Sequence, residues 1–217
     1  MPGRLAIGVA VGSLAFAVAL AAESFVDGEE IHEHFQNPGP VNVLSTAQLI
    51  MVAGFSVLAA LTRPAHRAFW FVFAAGFLLF AVDQQWKTLT GSAEQDLHGA
   101  AGNYLRDNFV VSEPLIMQWS DAVVGLYFAV GAFAVFRHRE EFLSSARVSV
   151  EIVLALAFAF LMVVSDSLVR QVPAVKVTEE TFKLLAGSFF LASVVGICGR
   201  EGLALVQRSG QRVVGTN

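Results

Sequence analysis

At 217 residues the chain is 55% hydrophobic and only 15% charged, with a mean hydropathy of +0.62, whereas a soluble domain carries roughly a quarter of its residues as Asp, Glu, Lys and Arg. That balance excludes an ordinary soluble domain and predicts an all-α, polytopic membrane bundle with the lipid bilayer as its first partner. The single cysteine, Cys198, excludes an internal disulfide, and the basic residues fall in short turns that read as topology signals, not as a nucleic-acid surface.

Six transmembrane helices are predicted in one membrane domain, at about 5–22, 43–61, 66–86, 114–136, 146–168 and 179–199, judged against the roughly 20 apolar residues that cross a hydrocarbon core. Leu5 to Ala22 follows Arg4 and also resembles a secretory signal, with Ala19-Leu20-Ala21 in the manner of a cleavage site. The Gly8-x-x-x-Gly12 face, which suits close helix packing, favours a retained first helix. Asn37-Pro38-Gly39-Pro40 breaks the chain before the second run. Between the third and fourth helices lies the long polar connection 87–113, after which Ser112-Glu113-Pro114 has the residues of a helix start. Pro173 marks the loop before the last helix, which Thr178-Glu179-Glu180-Thr181 is expected to open. The tail after Arg200 reads as short and frayed.

The cations divide between the two faces. Arg4, Arg63, Arg67, Arg137, Arg139, Arg147, Arg200, Arg208 and Arg212 fall on one side, against Lys87, Arg106, Arg170, Lys176 and Lys183 on the other. The richer side is cytoplasmic by the positive-inside rule, so both termini are expected in the cytoplasm and the protein in the cell membrane, multi-pass, in the manner of a bacterial inner-membrane protein.

This topology sends the acids outward. Glu23, Asp83, Asp121, Asp166 and Glu180 reach a similar depth on five helices, and Asp27 continues the stripe of Glu23. Asp121 is the most informative, because it lies about 10 Å along its helix from Pro114 and an intramembrane acid marks a functional site by default. In the stretch Glu23 to Phe35, Glu30, His32 and His34 are candidate metal ligands and Glu29-x-x-His32 has a spacing found in carboxylate-bridged metal sites. Oxygen-rich clusters suit Ca²⁺ or Mg²⁺, and imidazoles admit Mn²⁺ or Zn²⁺. The competing explanation is a solvated acidic surface, or an ion-pair network neutralised by Arg170, Lys176 or Lys183.

Three functions remain open at this level. The first is an outward-facing acidic cavity that binds a cation or polar ligand, a divalent cation being the candidate cofactor. The second is a metal-dependent membrane hydrolase acting at the outer leaflet through an activated water. The third is a non-catalytic partner or assembly factor that docks a protein through 87–113. Conduction is disfavoured, because the cytoplasmic halves of the helices are almost wholly apolar apart from Glu151.

Overall fold

The computed structural model describes residues 39–90, 128–143, 146–168 and 173–214, with scattered helical positions among 8–19, at 104 and at 125–126. All regular structure among the described residues is helical. Helix α1 spans Pro40–Thr62, a 3₁₀ turn spans Pro64–His66, and α2 spans Arg67–Thr90. The apolar helix α3 covers Phe128–Arg137 and the short α4 covers Arg139–Leu143. Helix α5 spans Ala146–Leu168 and α6 spans Pro173–Val214.

Four stretches are long and apolar enough to cross a membrane: Pro40–Thr62, Pro64–Trp86, Val148–Ser165 and Val177–Gly199. A 23-residue helix such as the first is about 34 Å long at 1.5 Å per residue, just over the roughly 30 Å of hydrocarbon. The chain is therefore an integral, multi-pass membrane protein. Segments 5–22 and 114–136 fall largely outside the described residues.

Proline shapes two of the starts. Pro40 and Pro173 are each the first residue of a helix, the position where the missing N–H costs no hydrogen bond and the fixed φ already suits the turn. The last helix thus begins at Pro173 instead of at Thr178, and it continues to Val214 through the tail expected to fray.

The bundle is apolar outside and partly polar within. Val43, Ile50, Leu58, Val72, Leu79, Val130 and Val153 are each more than two-fifths exposed, whereas Asn42, Ser45, Thr46, Gln48, Ser56, Gln84, Ser188 and Ser193 are buried. Lipid tails are as apolar as leucine, so packing and hydrogen bonds between helices must hold such a bundle. Helix α1 packs against α2 and α6, and α5 against α6.

Two polar seams join these helices. At one end, Ser45 Oγ and Thr46 Oγ1 donate to Gln84 Oε1 at 3.0 and 3.1 Å, while Gln85 Nε2 donates to Asn42 Oδ1 at 2.6 Å and to Thr46 Oγ1 at 2.9 Å. Deeper in, Gln48 Nε2 donates to Ser13 Oγ at 2.8 Å and to Ser188 Oγ at 3.0 Å, tying the first apolar segment to α1 and α6. The contact requires a glycine at 187, where a Cβ would stand 2.6 Å from Gln48 Oε1. Gly187→Ala must push the pinned amide off both bonds, at about 0.6–1.7 kcal/mol each, so a loss of roughly 1–3 kcal/mol is expected in mixed-micelle unfolding. The loss should nearly vanish in a Gln48→Ala background; an equal loss there would mean that the clash is elsewhere.

The core lies toward the opposite end. Trp70 is fully buried and meets Phe69, Phe73 and Phe142 at ring-centroid distances of 5.0, 5.7 and 5.7 Å. Phe69, Phe73 and Phe77 recur every four residues and so share one stripe of α2, which continues to Phe190 of α6 through a 5.0 Å contact with Phe77. Their apolar partners include Val52, Ile152, Val194 and Ile197.

Candidate functional site

The two ends of the bundle carry different charged groups. At the end where α1 turns into α2, Glu141 is buried and accepts a bond from Arg63 Nη1, and its other oxygen lies 3.2 Å from His66 Nε2. His138 stacks on Phe69 at 4.4 Å and meets the edge of His66 at 5.8 Å. Arg63 and Glu141 come together because the turns α1–α2 and α3–α4 reach the same level. This arrangement is a clasp between two connections, in which Glu141 of one turn meets Arg63 and His66 of the other. The Glu151 carboxylate, also buried, is close to Gly196 of α6, 3.8 Å from where a Cβ would stand.

At the other end, α6 presents Glu179, Glu180 and Lys183. Lys183 Nζ lies 2.8 Å from Glu180 Oε1 and 3.8 Å from Glu179 Oε1, at i,i+3 and i,i+4 spacing. Both carboxylates are buried, Glu180 at 2% exposure. Glu180 Oε2 has no hydrogen-bond partner in the structure. A carboxylate oxygen shut away from water without a donor is costly, because desolvation is not repaid by a bond. That makes Glu180 Oε2 the conspicuous unspent acceptor at this end.

Below this group lies a cavity of about 370 Å³ between α2, α3, α5 and α6. Phe69, Phe73, Phe77, Phe80 and Phe190 line it along with small residues, and among the described lining residues only Lys183 is charged. The volume is within the roughly 300–1,000 Å³ of ligand pockets. Of the residues lining it, Val72, Leu79 and Val130 are themselves 68%, 58% and 57% exposed. Phe80 and Lys183 both line the cavity. Asp83 is three residues beyond Phe80 on α2, and Glu180 three residues before Lys183 on α6, so the two acids stand at a similar level above it.

Of the predicted site residues, Asp83 is half-buried on α2 and Glu180 is buried on α6. Glu23, Asp27 and Asp121 lie outside the described residues, as do the predicted metal ligands Glu30, His32 and His34; Asp166 is described only as part of the α5 backbone. Among the described residues no group of three or more His, Cys, Asp or Glu is placed to hold a metal ion. Lys183 pairs with its own helix neighbours Glu179 and Glu180, and the Glu179/Glu180/Lys183 spacing was the signal for it. The cavity had no such signal, since it is formed where aromatic side chains of α2 face small residues of α3 and α5.

Comparison of the chain with protein-family models, with curated proteins and with solved structures gives no match.

Proposed function

We propose that this membrane protein binds a cation or a cationic polar group at an acidic site on the outer end of its bundle. In this reading six helices span the cell membrane with both termini cytoplasmic, in the manner of a bacterial inner-membrane protein, and the Lys183 end faces outward. Glu180 and Asp83 form part of the site; Glu23, Asp27, Asp121 and Asp166 complete it from the remaining helices, with Glu30, His32 and His34 above. The first segment remains as a helix, supported by the burial of Ser13 between Gln48 and Ser188.

The observation that carries the reading is Glu180, buried to 2% with one oxygen paired to Lys183 and the other without a donor. Glu179 and Glu180 both approach the Lys183 ammonium, and it meets Glu180 through Oε1 alone. A positively charged group would supply the missing partner.

Unfolding temperature of the full chain, measured with and without Ca²⁺, Mg²⁺, Mn²⁺, Zn²⁺ and ethanolamine, tests this. At a hundredfold excess over Kd a site ligand stabilises by about 2.7 kcal/mol, a shift expected to disappear in Glu180→Gln and in Asp121→Asn. A shift that persists unchanged in both variants removes these acids from the site, and no shift with any of the five cations sinks the proposal.

A further inference from the structure

The end of the bundle opposite the acidic group gathers arginines around one ring contact. His138 stacks on Phe69 at 4.4 Å and meets the edge of His66 at 5.8 Å, which sets the start of α2 beside the end of α3. Arg67 lies between those two partners in the sequence, and Arg137 and Arg139 flank His138 itself. All three arginines are exposed, and among the described residues none of the three is held in an ion pair. The acids of this turn do not neutralise them: Glu141 is buried and meets Arg63 and His66, and Glu140 is exposed.

The arginines also stand at the edge of the lipid-facing surface. On α2, Arg67, Phe71, Leu78 and Val82 share one face at helical spacing, and all four are exposed. On α3, Val130, Phe133 and Arg137 form a second exposed row of the same kind. In a chain that spans a membrane such rows face acyl chains, so each ends in a guanidinium at the level where hydrocarbon gives way to headgroups. Arg139 is held at that boundary by its neighbour, with its guanidinium carbon 5.3 Å from the centre of the exposed Phe136 ring.

We infer that this end of the protein binds the phosphate of an anionic bilayer phospholipid, with Arg67, Arg137 and Arg139 around the head and the acyl chains against the apolar rows of α2 and α3. The planar fork of a guanidinium matches the oxygens of a phosphate, and cations at a membrane edge draw anionic lipids to themselves. A zwitterionic head would bring its own ammonium into a patch of cations. A head without a cation leaves all three arginines to the phosphate. The inference stands apart from the acidic site at the other end.

The test is native mass spectrometry of the full chain in detergent, equilibrated with palmitoyl-oleoyl phosphatidylglycerol or with phosphatidylcholine of the same chains. Phosphatidylglycerol should be retained at about tenfold lower concentration. The triple variant Arg67→Gln/Arg137→Gln/Arg139→Gln should bring the two lipids level with little change in unfolding temperature, because the three side chains are exposed. Glu140→Gln removes the exposed acid and should widen the preference. Phe136→Leu keeps every charge and should narrow it, which attraction by net charge alone would not do. Equal retention of the two lipids by the unaltered protein overturns the inference, as does a preference that survives the triple variant. A preference untouched by Phe136→Leu overturns the placement of Arg139 at the head. Displacement of phosphatidylglycerol by an equal concentration of glycerol 3-phosphate would mean an aqueous anion site and overturn the assignment to a lipid.

Discussion

Replacing Glu141 by alanine is expected to destabilise the protein by about 3–5 kcal/mol, the cost of removing one partner from a buried ion pair. Arg63 and Glu141 have side chains only 15% and 9% exposed, so the guanidinium cannot replace the lost carboxylate with water by a small movement. The effect should exceed that of an exposed pair, which is worth at most about 1 kcal/mol. Glu141→Gln keeps an acceptor oxygen of the same shape and should cost less than alanine. The double variant Arg63→Met/Glu141→Leu should regain most of the loss, because replacing both charges with apolar groups removes the desolvation penalty along with the attraction. Denaturant titration in mixed micelles checks the series. A Glu141→Ala variant within about 0.5 kcal/mol of the unaltered protein, the range of ordinary surface changes, would mean that the two turns are not clasped in solution.

The second large effect is expected at Trp70. Trp70→Ala should cost about 3–5 kcal/mol, since truncating a fully buried tryptophan leaves a void among Phe69, Phe73 and Phe142 that those rings cannot close. In lipid, helix association depends on packing more than on solvent exclusion, so the lost contacts themselves are the main term. Trp70→Phe separates the contributions. Trp70 Nε1 has no acceptor in the structure, and phenylalanine removes that donor while keeping most of the aromatic contact. Its cost should therefore be well below that of alanine. Equal costs for the two variants would place the value of Trp70 in a hydrogen bond and not in the ring contacts.

The membrane character was legible because it depends on composition over long windows. Charge is scarce, and runs such as Val43 to Leu61 approach the length of a span whatever their register. Internal arrangement depends on register, which composition does not carry. Gln48 and Ser188 are 140 positions apart, and nothing local says that they share a depth or that Gly187 lets them meet. Ser45, Thr46 and Gln84 likewise read as unremarkable polar residues near helix ends until α1 and α2 are set side by side. His66 lies in the α1–α2 turn, and its meeting with Glu141 and His138 exists only because two separate turns stack.

The acids divide in the same way. Lys183 lies three and four residues after Glu180 and Glu179, so their pairing follows from helix geometry alone. The depth of Glu180 does not, since an acid near a helix start is more often solvated and set against the dipole. The expected start at Thr178 placed Glu179 and Glu180 in the first turn. Because Pro173 opens the helix instead, they lie more than a turn inside it, where burial against α1 and α5 is possible.

The central claim, that acids from several helices converge on one site, is tested most directly by cross-linking. In a Cys198→Ser background, which removes the single native cysteine, Asp83→Cys with Asp121→Cys should be joined by a short bifunctional thiol reagent in native membranes. Ser45→Cys with Gln84→Cys, whose parent side chains lie 3.0 Å apart, is the positive control. Cross-linking of both pairs is the expected result; a linked control beside an unlinked 83/121 pair would contradict convergence.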